Sequence, residues 1–223
     1  MTTEKEMSHE LARAQAWDRA WARFAKFYDI CVALLPGWGG RLKKAVPYIH
    51  GDCVLEVSFG TGYLMSHYGK SCGEIVGLDQ SEDMRRHATD RLAARGVKAT
   101  LVLGDAQALP FSDASFDCLV NTDAFSLYSD REQAMREFFR VLKPGGRMVL
   151  MEINPPKEGD AGTAMGLWLT RVLKMPMIPD LAGIVTRNGF ELEDINIGFF
   201  GIQHLYIGTK PAALMARPAF VQK

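Results

Sequence analysis

Cys53-Val-Leu-Glu-Val-Ser-Phe-Gly-Thr-Gly62 decides how this chain is read. Its first half is a short, mostly apolar run, the pattern of a short strand. Its second half turns on Gly60 and Gly62, which let the backbone bend tightly and approach a ligand without a Cβ in the way. A helical stretch over 61–70 follows. The same grammar then repeats: a strand over Glu74–Asp79, a helix over Glu82–Arg95 opened by Ser81 as N-cap, and a third strand over 99–103. A fourth strand over 116–120 and a helix over 131–142, closed by Lys143-Pro-Gly-Gly, lead to a fifth strand over 147–153. Strands alternating with helices predict right-handed βαβ units, and so a mostly parallel α/β sheet with helices on both faces.

The flanks differ in style. Leu11, Ala14, Trp17, Trp21, Phe24 and Tyr28 fall on one helical stripe before Pro36-Gly-Trp-Gly-Gly40, and a short helix is expected over 41–48. After the fifth strand, 162–175 and 179–188 read as helices, and two strands over 191–200 and 204–209 follow with little between them. Such neighbours pair antiparallel, or lie beside a third strand of reversed direction. The expected organisation is one domain: a helical lid over 1–48, a core over 49–154, an insertion over 155–180, a terminal helix and strands over 181–211, and a tail over 212–223.

Composition narrows the function. The 223 residues are 48% hydrophobic and 23% charged, ordinary for a globular chain. Lys plus Arg equals Asp plus Glu at 26 each, so nothing suggests a nucleic-acid partner. The longest apolar run, Ile30 to Leu35, is far short of a membrane span, and the polar N-terminus has no apolar leader. Four scattered cysteines (Cys31, Cys53, Cys72, Cys118) form no CxxC pair, so reduced thiols, no metal site and a cytoplasmic setting are expected.

An open α/β sheet takes its ligand outside the carboxyl ends of the strands. There the first strand offers Gly60-Thr-Gly62, the second offers Asp79 as an acceptor for ribose hydroxyls, and the third offers Asp105 as an acceptor for an adenine amine. Taken singly, a glycine turn or a loop aspartate is ordinary structure; the three together describe a nucleoside site. A nicotinamide dinucleotide site, the alternative enzyme class, wants a third glycine where Met65 stands.

VLEVSFGTG at 54–62, VGLDQSEDM at 76–84, GDAQALPFSDASFD at 104–117 and REFFRVLKPGGRMVL at 136–150 resemble the class I S-adenosylmethionine-dependent methyltransferases. Within them the chain is most similar to the small-molecule branch with the ubiquinone/menaquinone and phospholipid methyltransferases. The resemblance implies a Rossmann-like seven-stranded sheet in order 3-2-1-4-5-7-6, strand 7 antiparallel. It implies S-adenosyl-L-methionine as cofactor. Glu56, Ser58, Gly60, Thr61 and Gly62 then surround its methionine moiety, while Asp79 and Gln80 meet the ribose. Met84 covers the adenine, Asp105 and Ala106 read its edge, Asn121 and Thr122 stand near the sulfonium, and Tyr28 of the lid contacts the cofactor. One departure is notable: the family's loop begins Gly-x-Gly, and here the first glycine is Ser58, followed by Phe59. Serine fits if its φ stays negative; a homologue that binds the cofactor without catalysis is the other reading.

On the acceptor side, an antiparallel seventh strand would start at the same edge and bring His204 towards the acceptor as a general base, or leave it a strand-edge histidine. Tyr128, Glu152 and Trp168 are candidate substrate contacts on that side. The expected acceptor is an apolar, aromatic or lipid-like small molecule. The N-terminal aromatic stripe reads as a lid, or as a peripheral membrane contact.

Overall fold

The computed structural model describes residues 38–154, 163–172, 177–198 and 201–212. The chain enters on a one-turn helix α1 (Trp38–Leu42), continued as a 3-10 turn over Lys43–Tyr48. The sheet strands are β1 (Cys53–Val57), β2 (Glu74–Asp79), β3 (Thr100–Leu103), β4 (Phe116–Thr122), β5 (Leu142–Ile153), β6 (Glu191–Gly198) and β7 (Gln203–Thr209). The helices between them are α2 (Met65–Tyr68), α3 (Glu82–Arg95), α4 (Arg131–Val141), α5 (Thr163–Val172) and α6 (Leu181–Arg187). Strand order is β3-β2-β1-β4-β5-β7-β6, and β7 runs antiparallel to both its neighbours. This is the Rossmann-like arrangement that the sequence resemblance implied.

Period-two alternation builds two cores, one on each face. Leu55, Val57, Leu119, Met148, Leu150 and Tyr206 face α4 and α6, where Met135, Phe138, Leu181 and Val185 close the layer. Val54, Cys118, Val120, Val149, Leu205 and Ile207 face the other way, against Met65, Tyr68, Ala88 and Leu92 of α2 and α3. Each fully buried large side chain contributes about 1.5–3 kcal/mol. Local signals set the helix limits. Ser81 accepts from the Met84 N–H and Asp130 from the Gln133 N–H, while Gly96 in the left-handed region ends α3.

Three boundaries differ from the sequence reading. The helical stretch expected over 61–70 shrinks to Met65–Tyr68, because Gly60 and Gly62 hold positive φ and the loop occupies the rest. Lys143-Pro-Gly-Gly, read as a helix stop, instead belongs to β5. Gly145 donates to the Lys210 carbonyl and the Lys210 N–H donates to Gly146, so the turn is drawn onto the sheet end beside β7. Asn121 and Thr122 lie within β4 rather than after it. Trp17, Trp21, Phe24 and Tyr28 lie outside the described residues, as does Cys31. Among the described residues no helix is long and apolar enough to cross a membrane, and no cluster of His, Cys, Asp or Glu could hold a metal ion.

Candidate functional site

All five parallel strands end at one edge of the sheet, and β7 starts there: Ile153 pairs with Gln203 and Glu152 with His204. The loop after β1 carries strained backbone at that edge. Ser58, Gly60 and Gly62 all adopt left-handed φ, at +56°, +55° and +69°. The expectation of a negative φ at Ser58 is therefore corrected: the serine takes the conformation of the glycine it replaces. That costs about 1–2 kcal/mol relative to glycine. Offsetting contacts surround it. The Ser58 N–H donates to the Leu78 carbonyl at 2.7 Å, and Ser58 Oγ lies 2.7 Å from the Tyr128 hydroxyl. A Cβ on Gly60 would meet nothing within 4 Å, so the loop holds an open cradle there; one on Gly62 would press on Ala88 of α3.

Asp79 ends β2 and ties this loop to it. Its carboxylate accepts from the Gly60 N–H at 2.9 Å and from the Ser81 N–H at 3.0 Å. Burial raises its pKa, against the lowering effect of those backbone donors. Glu56, deep in β1, accepts from the Tyr68 hydroxyl at 2.7 Å, and burial pushes it up to about 8. Met84 and Ala106 are buried; Gln80 and Asp105 are exposed. Asp105 accepts from the Gln107 N–H and side-chain amide, an Asx turn that shapes the loop after β3. Thr122 is half-buried at the end of β4.

Two polar atoms at this edge are orphaned. Thr61 Oγ1 and Asn121 Oδ1 are buried with no hydrogen-bond partner. A buried polar atom left unpaired costs about 1–3 kcal/mol, and both stand where the sequence placed the methionine end of a cofactor. Together with the open cradle at Gly60 and the Asp79 carboxylate, they fit a ligand that carries donors and a ribose.

The ends of β4 and β5 and the start of β7 are ordered by groups that the sequence reading missed. Arg41 of α1 donates to Asp123 Oδ2 at 2.8 Å and to Gln203 Oε1, while Gln203 Nε2 donates to Asp123 Oδ1 at 3.2 Å. Asp123 is held at φ +53°. This clamp joins the first described helix to the ends of β4 and β7. No local pattern announces it, because its members are 80 and more residues apart. Glu152 is buried and accepts from the Ser126 N–H at 3.0 Å; burial first, then the Asp123 charge, push it up to about 8. Tyr128 packs edge-on against Phe125 and Phe138.

His204 is at the expected edge and is enclosed there by its neighbours. The side chain is 1% exposed and stacked on Tyr206, with Nδ1 2.9 Å from Asp194 Oδ1 and Nε2 3.2 Å from the Gly201 carbonyl. Both ring nitrogens thus face oxygen atoms of the fold itself. Trp168 on α5 is 59% exposed, next to exposed Met165 and Leu167. Asn154 marks where this excursion leaves the sheet and returns: its amide donates to the Tyr206 hydroxyl, and its Oδ1 accepts from the Ile178 N–H.

Known proteins share this architecture. A family model for a methyltransferase domain matches residues 55–150. A demethylmenaquinone methyltransferase of Deinococcus radiodurans is 33% identical over 184 residues, 79% of this chain and 74% of that protein. Its counterpart from Thermus thermophilus is 36% identical over 137 residues, so the chain spans only 60% of that relative's length. A solved S-adenosylmethionine-dependent methyltransferase of Thermotoga maritima, described as a possible histamine N-methyltransferase, superposes with a TM-score of 0.68. It is 19% identical, covering 85% of this chain and 97% of that one, which speaks to the fold alone. With the loop after β1, the acid ending β2 and this sheet order, the chain belongs to the class I S-adenosylmethionine-dependent methyltransferases.

Proposed function

We propose that this protein transfers the methyl group of S-adenosylmethionine to an apolar, aromatic or lipid-like small molecule by in-line displacement. The observation that carries the reading is the division of the sheet edge. Polar groups with unfilled hydrogen-bonding capacity gather at the ends of β1 and β4, whereas the excursion leaving β5 carries exposed Met165, Leu167 and Trp168. The names of the demethylmenaquinone relatives point to the same acceptor class.

The cofactor, when bound, supplies an electrophilic methyl on a sulfonium. What the chain contributes is position and exclusion of water, which can account for most of such a rate. Asp79 orients the ribose, Thr61 and Asn121 take the methionine end, and the glycine loop lets the backbone approach. The Arg41–Asp123–Gln203 clamp fixes the start of the described chain on the acceptor side. Tyr128 and Glu152 shape the wall there. His204 and Asp194 brace β7 rather than move a proton. A cytoplasmic setting is proposed from the scattered spacing of the four cysteines in the sequence.

The test is transfer of labelled methyl from S-adenosylmethionine to a panel of aromatic, quinol and lipid-like acceptors. Trp168→Ala is expected to raise the acceptor KM several-fold and leave cofactor affinity within about twofold. Cofactor binding without turnover on any acceptor would favour the non-catalytic homologue.

A further inference from the structure

Gln107 joins the loop after β3 to the start of α4 through one side chain. Its Oε1 accepts from the Asp130 N–H at 2.6 Å and from the Ser129 hydroxyl at 2.9 Å. A backbone N–H needs an oxygen, so this anchor fixes which way the carboxamide lies and turns its NH₂ towards Asp105. There Nε2 stands 3.1 Å from Asp105 Oδ1 and 3.2 Å from Oδ2, while the Gln107 N–H donates to Oδ1 at 2.9 Å. Oδ1 takes two donors and Oδ2 shares one, so Oδ2 keeps the most capacity for a further donor.

The loop backbone is held separately. Gln133, Glu137 and Arg140 form one stripe along α4 at i, i+4 and i+7. Gln133 donates to the Gln107 carbonyl, Glu137 accepts from the Leu109 N–H, and Arg140 donates to the Leu109 and Phe111 carbonyls. At the other end the Gly104 N–H donates to the Asp79 carbonyl at 3.0 Å, which sets Asp105 close to the acid that ends β2. What the Gln107 carboxamide adds is therefore the orientation of one exposed carboxylate. Without it, an aspartate in water samples several rotamers. Held by donors on one side, it offers its remaining lone pairs in one direction. A 6-amino purine brings a donor to such an acceptor; a 6-oxo purine brings another acceptor.

We propose that Gln107 is a positioning residue that sets the base preference of the nucleoside site, orienting Asp105 from an anchor on Ser129 and Asp130. This rests on the cofactor reading above, in which Asp105 meets the adenine edge. The side chain has two separable arms: the oxygen ties the loop to the start of α4, and the NH₂ aims the carboxylate.

The experiment measures binding of S-adenosylhomocysteine and of S-inosylhomocysteine, identical except for the 6-oxo base, together with stability in urea. Wild type is expected to prefer the 6-amino ligand about 10- to 100-fold, the worth of one hydrogen bond to a charged group. Gln107→Glu keeps the oxygen for Asp130 and Ser129 but faces Asp105 with a second carboxylate. Its preference is expected to fall about tenfold through weaker S-adenosylhomocysteine binding, with stability close to wild type. Gln107→Lys does the converse: a donor still meets Asp105, so the preference is kept within about threefold, while the lost anchor lowers stability. A merely structural residue would move preference and stability together in both variants, and that result overturns the proposal. An undiminished preference in Gln107→Glu overturns it as well. A wild-type protein that binds neither ligand, or both equally, overturns the reading of Asp105 itself, and this is recognised before any variant is made.

Discussion

Replacing Asp79 separates the binding and structural duties of one carboxylate. Its two oxygens already accept from the Gly60 and Ser81 amides, one each, and the Gln80 amide also acts on the carboxylate. A hydrogen bond to a charged group is worth about 1.5–3 kcal/mol. Losing two ribose bonds in Asp79→Ala should weaken S-adenosylhomocysteine roughly 10²- to 10⁴-fold. The same change leaves two loop amides without their acceptor, for a stability loss of about 1–3 kcal/mol for each amide that water fails to reach. Asp79→Asn is the sharper probe. It keeps one acceptor oxygen but turns an NH₂ towards one of two amide donors, so stability still falls while only one ribose bond is lost. The expected order of affinity is wild type, then asparagine, then alanine. Calorimetric titration gives the affinities and urea unfolding gives the stabilities. If Asp79→Ala bound S-adenosylhomocysteine as tightly as wild type, the assignment of the end of β2 to the ribose would be wrong, whatever the stability did.

Two further outcomes follow from the same geometry. The Cβ of Gly60→Val would meet no atom within 4 Å, so its folding penalty is chiefly the strain of a left-handed φ, at least about 1–2 kcal/mol, while cofactor binding is expected to be lost; normal affinity in a folded variant would show that this turn is not a ligand loop. Glu56 and Glu152 are both pushed up to about 8 by burial from an ordinary 4.5, so between those values the folded chain holds more protons than the unfolded one. Stability contributed by the neutral carboxyls is full below about pH 4.5 and is lost as pH rises towards 8, each carboxyl giving up about 1.4 kcal/mol for every pH unit crossed in that window. Tm measured from about pH 5 to 8 should decline, and Glu56→Gln/Glu152→Gln should flatten that decline; an unaltered slope in the double variant argues against it.

The sequence by itself determined the α/β class, the order of elements and the strand ends that face a ligand. These are local properties. Short apolar runs such as Val54–Val57 favour a buried strand, and Ser81 or Asp130 caps the helix that follows. The family resemblance added the strand order, which no local pattern contains. Only the tertiary structure decided how groups far apart in the chain complete one another. Ser58 reads as a lost glycine until Tyr128, 70 residues on, supplies a partner for its hydroxyl. Arg41 reads as one more cation until Asp123 and Gln203 receive it. His204 could be placed at the ligand edge from topology, but only packing shows Asp194 and the Gly201 carbonyl beside its ring nitrogens. A side chain's chemistry depends on which donors and acceptors surround it, and those neighbours are fixed by packing across the sheet rather than by adjacency along the chain.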